Sequence, residues 1–166
     1  ALVLREGRLS LSKQHCWIDV WAFASFLGKA EKARKEGKEQ EAIRLFEKAL
    51  SLYIGPFLPF EELPLAVSPR EKLRGGFLKA VAHLGRLYEE GERWEDAISL
   101  YGKGLEVDDL AEELYRRLMA CHIRRGQESE ALSVYRRCRR TLSSVLGVDP
   151  SAETQAVASS LRYPTT

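Results

Sequence analysis

The sequence predicts an all-α protein: three helical hairpins and a C-terminal capping helix, preceded by a short β-hairpin. Three observations predict it. Apolar residues recur at helical spacing from Asp19 onward. Gly37, Gly91, Gly126 and Gly147 punctuate that pattern at hairpin intervals. One nine-residue pattern appears three times in the same phase. The 166 residues, 45% hydrophobic and 30% charged, suffice for one domain with a substantial core.

The first 18 residues read differently from the rest. Leu2-Val3-Leu4 and Leu9-x-Leu11 flank Arg5-Glu6-Gly7-Arg8, two short apolar runs around a glycine turn, as in a β-hairpin. Val20, Phe23, Leu27, Ala30 and Ala33 then mark a helix over residues 20–36, which Gly37 breaks. Ala42, Ile43, Phe46, Ala49, Leu50 and Tyr53 mark its antiparallel partner over residues 39–53. Residues 54–67 hold three prolines and predict an irregular segment, with Phe57, Leu58 and Phe60 packed onto the helices.

Ser68, Pro69 and Glu71 form a capping signature that starts the next helix, which runs to about Glu90 and stops at Gly91. Its partner spans Glu95 to about Leu105. Asp109 with Glu112 opens a fifth helix ending before Gly126. Residues 128–146 form the sixth, stopped by Gly147. Asp149-Pro150 starts a seventh, with Ala152, Ala156, Val157 and Leu161 on its packing side.

The repeat organises these hairpins. Glu-Ala42-Ile-Arg-Leu-Phe46-Glu-Lys-Ala49, Asp-Ala97-Ile-Ser-Leu-Tyr101-Gly-Lys-Gly104 and Glu-Ala131-Leu-Ser-Val-Tyr135-Arg-Arg-Cys138 share one form: acid, Ala, aliphatic, x, aliphatic, aromatic, x, x, small. Ala30, Gly85 and Met119 stand twelve residues before the three alanines. A small residue lets two helices approach closely, and the aromatic fills the next layer. With Leu84-Gly85-x-x-Tyr88 in the middle unit, this resembles the tetratricopeptide repeat. That likeness implies a right-handed stack of hairpins, closed at the open end by the last helix.

A more specific resemblance covers residues 19–162. Asp19-Val20-x-x-Phe23, Leu52-Tyr53-x-Gly55-Pro56-Phe57-Leu58-Pro59, Glu113-Leu-Tyr115-Arg116-Arg117-Leu118-Met119 and Leu146-Gly147-Val-Asp-Pro150-Ser151-x-Glu153-Thr154 occur in this order. They resemble the bacterial transcriptional activator domain of regulators of the streptomycete antibiotic regulatory protein type. The chain departs from the family after Pro59, where Phe60-Glu61-Glu62-Leu63-Pro64 replaces an Asp and a Trp-containing helix start. The resemblance implies two parts: residues 1–18 as the last β-hairpin of an upstream winged-helix DNA-binding domain, and residues 19–166 as the activator domain. It further implies that DNA is read by the upstream domain and not by this chain. The start at Ala1 rather than Met predicts a piece of a longer protein.

The side-chain inventory predicts a binding module rather than an enzyme. No glycine-rich phosphate loop, nucleophile elbow or His-Glu-x-x-His occurs, so neither catalytic residues nor a cofactor are expected. Neighbours on a helix point about 100° apart, so Cys121-His122 does not predict a metal site, and His122 is expected to pack. His15-Cys16 is equally unpromising. Cys16, Cys121 and Cys138, an odd number without a Cys-x-x-Cys pair, fit a reducing cytoplasm. A net charge of +2 argues against a chain-wide nucleic-acid surface, and no apolar run is long enough for a membrane helix. Trp17 and Trp21 are expected between hairpin and helices, and Trp94 in a turn, partly exposed.

Two surface features suggest partners. Eight arginines lie between Arg116 and Arg140. They read as solvated faces partly paired with Glu112, Glu113, Glu128 and Glu130, or as a patch for phosphate or acidic partners. The first helices of the hairpins should line an inner groove with Leu27, Glu31 and Arg34, then Lys79, Ala82 and Arg86, then Arg116, Ala120, Ile123 and Arg124. Arg86, Arg116 and Arg124, with Ile123 as apolar floor, are the expected partner-binding residues, suited to an acidic amphipathic segment or a second protomer. No Asn occurs, so the Lys/Asn clamp for a C-terminal carboxylate is absent. The expected function is protein interaction or oligomerisation within a bacterial transcriptional regulator. The competing reading is a helical-repeat scaffold outside transcription.

Overall fold

The structure, a computed structural model, describes residues 2–5, 7–11, 18–60 and 64–162. Among them are seven α-helices: α1 (Asp19–Lys35), α2 (Glu39–Ser51), α3 (Pro64–Glu90), α4 (Trp94–Val107), α5 (Glu112–Arg124), α6 (Glu128–Leu146) and α7 (Ala152–Arg162). Two strands precede them, β1 (Leu2–Arg5) and β2 (Arg8–Leu11). They pair antiparallel with Leu2 opposite Leu11, across a turn in which Gly7 has φ +75°. The helical chain falls into two compact units, residues 1–76 and 77–166, and α3 contributes to both. None of the described helices is long and apolar enough to cross a membrane.

In the first unit α1 packs along α2. Phe23, Ala30 and Ala33 of α1 and Ala42, Ile43, Phe46 and Ala49 of α2 are buried. Close helix approach explains the small residues: Ala30, Ala42 and Ala49 are fully buried. In the second unit the C-terminal half of α3 meets α4, α5 meets α4 and α6, and α7 packs on α5 and α6. Ala97, Tyr101, Tyr115, Met119, Cys121, Ala131 and Cys138 have no accessible surface. The three repeat alanines thus occupy equivalent buried positions. The small residues around them act alike. A Cβ on Gly85 would stand 2.3 Å from the Tyr101 ring, and one on Gly104 would stand 2.5 Å from Leu114.

Three helix ends are built the same way. After α1, the N–H groups of Gly37 and Lys38 bond the carbonyls of Arg34 and Ala33. After α5, Gly126 and Gln127 repeat this with Ile123 and His122. Gly37 and Gly126 supply the left-handed residue, with φ +72° and +69°. After α3 the pattern recurs through Glu92 and Arg93, and there Glu92, not Gly91, takes the positive φ, +56°. The glycine of the middle hairpin is one residue too early.

Four details of the sequence reading are corrected. Helix α3 begins at Pro64, so Ser68 is not its cap and Pro69 lies inside the helix. A proline starts a helix without loss, and Pro64 provides an earlier start than Ser68-Pro69. The Asp109–Glu112 capping pair does not form: α5 has no side-chain cap, and Asp108 accepts the Leu110 N–H instead. The buried face of α7 is Thr154, Ala158 and Leu161 with half-buried Val157, whereas Ala152 and Ala156 are exposed. Phe60 and Leu58 do not pack down: Phe60 is 95% and Leu58 46% exposed, and of the three only Phe57 is half-buried. Trp94 opens α4 and is half-buried, as is Trp21. Trp17, His15, Cys16 and the departure at residues 61–63 lie outside the described residues.

Candidate interaction surface

The second unit is fastened by a polar lock between α5 and α7. Glu112 opens α5, and its Oε1 accepts the Ser151 backbone N–H at 2.8 Å and the Ser151 hydroxyl at 2.7 Å. Ser151 in turn caps α7, its Oγ accepting the Thr154 N–H at 3.4 Å. Thr154 is fully buried and its hydroxyl accepts a guanidinium N–H of Arg116 at 3.2 Å. Burial opposes ionisation of Glu112, but the hydrogen bonds from Ser151 and Thr154 and the Arg116 charge outweigh it and hold the carboxyl below its usual range. The Pro-Ser-x-Glu-Thr motif is therefore the device that seats α7.

A second polar chain crosses the hairpin core. The Tyr101 hydroxyl donates to Glu89, whose other oxygen accepts from Arg117 at 3.1 Å. Burial first, then the Glu89 carboxylate, drives the Tyr101 phenol far above its ordinary range. Burial likewise pushes the Cys121 thiol up to about 12 and the Cys138 thiol up to about 11, so both are inert at neutral pH. His122 is half-buried with Nδ1 2.9 Å from Gln127. Among the described residues no group of His, Cys, Asp and Glu is arranged to hold a metal.

The four residues expected to bind a partner all lie in the second unit. Arg86 is exposed and ion-pairs with Glu113 at 2.6 Å. Arg116 is half-buried and turned to Thr154. Ile123 packs against the cluster of Met119, Ala131 and Leu161. Arg124 is exposed. Register alone would let Glu31, Glu89 or Glu90 neutralise these arginines, but Glu89 does not pair with them. It pairs instead with Arg117, and Glu31 pairs with Arg34 of its own helix.

The first unit carries a feature that periodicity did not reveal. The Arg70 guanidinium donates to the Phe57 carbonyl at 2.8 Å and to the Leu58 carbonyl, clasping the Gly-Pro-Phe-Leu-Pro loop. Leu58 is held there with φ +47°, a region costly for a branched side chain. Beside the clasped loop is a cavity of about 380 Å³ lined by Val20, Phe23, Leu52, Tyr53, Phe57 and Leu73. Ile54, 97% exposed, and Phe60 flank it in sequence.

The hairpins, the repeat alanines and the small-residue crossings define a tetratricopeptide-like helical module. Solved structures share the fold. Mycobacterium tuberculosis EmbR, in a complex with a low-affinity phosphopeptide, matches with TM-score 0.75 at 22% identity, over 96% of this chain and 42% of that one. The C-terminal TPR-containing domain of a Plasmodium falciparum FK506-binding protein matches with TM-score 0.62 at 14% identity, over 88% and 91%. The family follows from sequence: the model of the bacterial transcriptional activator domain matches residues 18–162, and the chain belongs to that family. Regulatory protein AfsR of Streptomyces griseus is 31% identical over 152 residues, and that of Streptomyces coelicolor 32% over 148. These alignments cover 92% and 89% of this chain but only 16% and 14% of the relatives, so the chain corresponds to a small part of such a regulator.

Proposed function

We propose that this domain couples association with a protein partner, or with a second protomer, to an upstream winged-helix DNA-binding domain of a cytoplasmic transcriptional regulator. In this reading β1 and β2 are the last hairpin of that domain, and residues 19–166 form the activator module. The observation that carries it is the lock on α7. Glu112, Ser151, Thr154 and Arg116 tie the last helix to α5, so the second unit can transmit a load rather than absorb it. On this framework Arg86 and Arg124 stand exposed, and an acidic amphipathic segment is the chemistry that suits them. Arg116 and Ile123 support that face from below, one bonded to Thr154 and the other packed on Met119.

The test is Arg86→Glu with Arg124→Glu in the full-length regulator. Both side chains are exposed, so the fold should survive, which circular dichroism checks. Loss of transcriptional activation with intact operator binding supports the coupling role. Unchanged activation removes this face from the function.

A further inference from the structure

The arginines between Arg116 and Arg140 divide into two sets. On α5 and in its C-cap three of them serve the fold: Arg116 bonds Thr154, Arg117 pairs with Glu89, and Arg125 pairs with Glu95 at 2.7 Å, whereas Arg124 is exposed. On α6, Arg137 lies 5.8 Å above the Tyr115 ring. Arg136, Arg139 and Arg140 are different. All three are exposed, and no hydrogen bond or ion pair holds any of them among the described residues.

These three share a face. Their spacing, i, i+3 and i+4, continues to Ser143 and Ser144, and these five side chains together with Asp149 line a shallow cavity of about 680 Å³. At 1.5 Å per residue the row is about 12 Å long. Arg136 and Arg140 are a like-charged pair one turn apart, which weakens an isolated helix, and among the described residues Asp149 is the acidic side chain that shares their cavity, without an ion pair to either. Aliphatic surface lies close by in the chain: Leu146, seven residues after Arg139 and so on the same side of the helix, is 55% exposed, and Val148, just past the helix end, is 49% exposed.

We propose that this face of α6 docks an acidic amphipathic segment of a partner protein. Guanidinium forks take carboxylates at helical spacing, and the Ser143 and Ser144 hydroxyls add donors. Leu146 and Val148 receive an aliphatic side chain of the same segment. The aliphatic surface decides between anionic partners. A nucleic-acid backbone offers phosphates to the arginines and nothing to an exposed Leu and Val, whereas an amphipathic segment offers both. The inference rests on the reading of this domain as an interaction module. It uses residues other than Arg86 and Arg124, so each can fail without the other.

The experiment titrates this chain with a short helical peptide carrying Glu at i, i+3, i+4 and i+7 with leucines beside them. Its Gln counterpart and a duplex DNA serve as competitors. The Glu peptide should bind, the Gln peptide should not, and affinity should fall with salt. Arg136→Glu with Arg140→Glu should weaken binding at least tenfold. Arg136→Gln with Arg140→Gln, and Leu146→Ser, should weaken it less. Unchanged circular dichroism separates these effects from unfolding. Three outcomes overturn the proposal: no binding of the Glu peptide, binding that survives the charge reversal, or duplex DNA displacing the peptide from the intact face.

Discussion

Glu112 and Ser151, 39 residues apart, meet through two hydrogen bonds to one carboxylate oxygen, 2.8 Å from the backbone N–H and 2.7 Å from the hydroxyl. A carboxylate at the start of α5 thereby organises the start of α7, and the charge favours both helix N-termini. Hydrogen bonds to a charged group are stronger than neutral ones, so Glu112→Gln should cost about 1–3 kcal/mol in denaturant unfolding.

The same pair sets a pH dependence. The folded-state pKa of Glu112 lies below its ordinary 4.5, where burial is outweighed by the Ser151 and Thr154 hydrogen bonds and by Arg116. A depressed carboxylate contributes stability above its unfolded pKa and loses it as pH falls through the folded value. The stability gap between the wild type and Glu112→Gln should therefore be full at neutral pH and close below pH 4.5. A gap independent of pH from 7 to 3 would mean that the lock does not depend on the ionised carboxylate.

The helices were legible because their packing is written in periodicity. Ala42, Ala97 and Ala131 announced the crossings, and all three are fully buried. What periodicity does not carry is a polar contact over long separation. Nothing in the spacing of Glu112 distinguishes a capping residue of α5 from an acceptor for Ser151, and nothing near Arg70 says that it clasps Phe57 and Leu58. The face of α7 was displaced for a related reason. Ala152 and Ala156 look apolar, but the capping geometry at Ser151 turns Thr154 inward, and Ala158 and Leu161 follow at helical spacing. The start of α3 was missed because two prolines each suit a first helical position, and only one can occupy it. Among the expected partner-binding residues, Arg86 and Arg124 are exposed, whereas Arg116 and Ile123 face neighbouring helices, which single-helix phase does not resolve.

The repeat crossings predict steric sensitivity. Ala97 is fully buried, and Ala97→Leu should destabilise by about 1–3 kcal/mol through overpacking. Gly85→Ala should do at least as much, because its Cβ would stand 2.3 Å from a Tyr101 ring whose hydroxyl is held by Glu89. Shrinking the obstacle should restore part of the loss, so Tyr101→Leu should be less harmful beside Gly85→Ala than alone. Strict additivity of the two changes in thermal unfolding would show that Gly85 and Tyr101 do not meet.

Thiol chemistry provides an independent probe of the core. Cys121 and Cys138 are buried, with thiols pushed up to about 12 and about 11 mainly by burial. Since the thiolate is the nucleophile, a Cys16→Ser variant should resist iodoacetamide at pH 8 and react at both remaining cysteines only after unfolding. Rapid alkylation of the native variant would place either helix crossing, α5 or α6, open to solvent.

The turn after α3 invites improvement. Gly37 and Gly126 close their turns with φ +72° and +69°, but the equivalent place in the middle hairpin is taken by Glu92 at φ +56°. A left-handed residue with a Cβ costs roughly 1–2 kcal/mol, of which glycine recovers part and returns part as greater freedom of the unfolded chain. Glu92 is also exposed, so its side chain contributes little packing. Glu92→Gly should therefore stabilise the domain by about 0.5–1 kcal/mol, whereas Gly37→Ala and Gly126→Ala should destabilise it by a similar amount. Melting temperatures of the three variants check the set. A fall for Glu92→Gly would mean that the turn is held by the Glu92 side chain rather than strained by it, and the three helix ends would then not be equivalent.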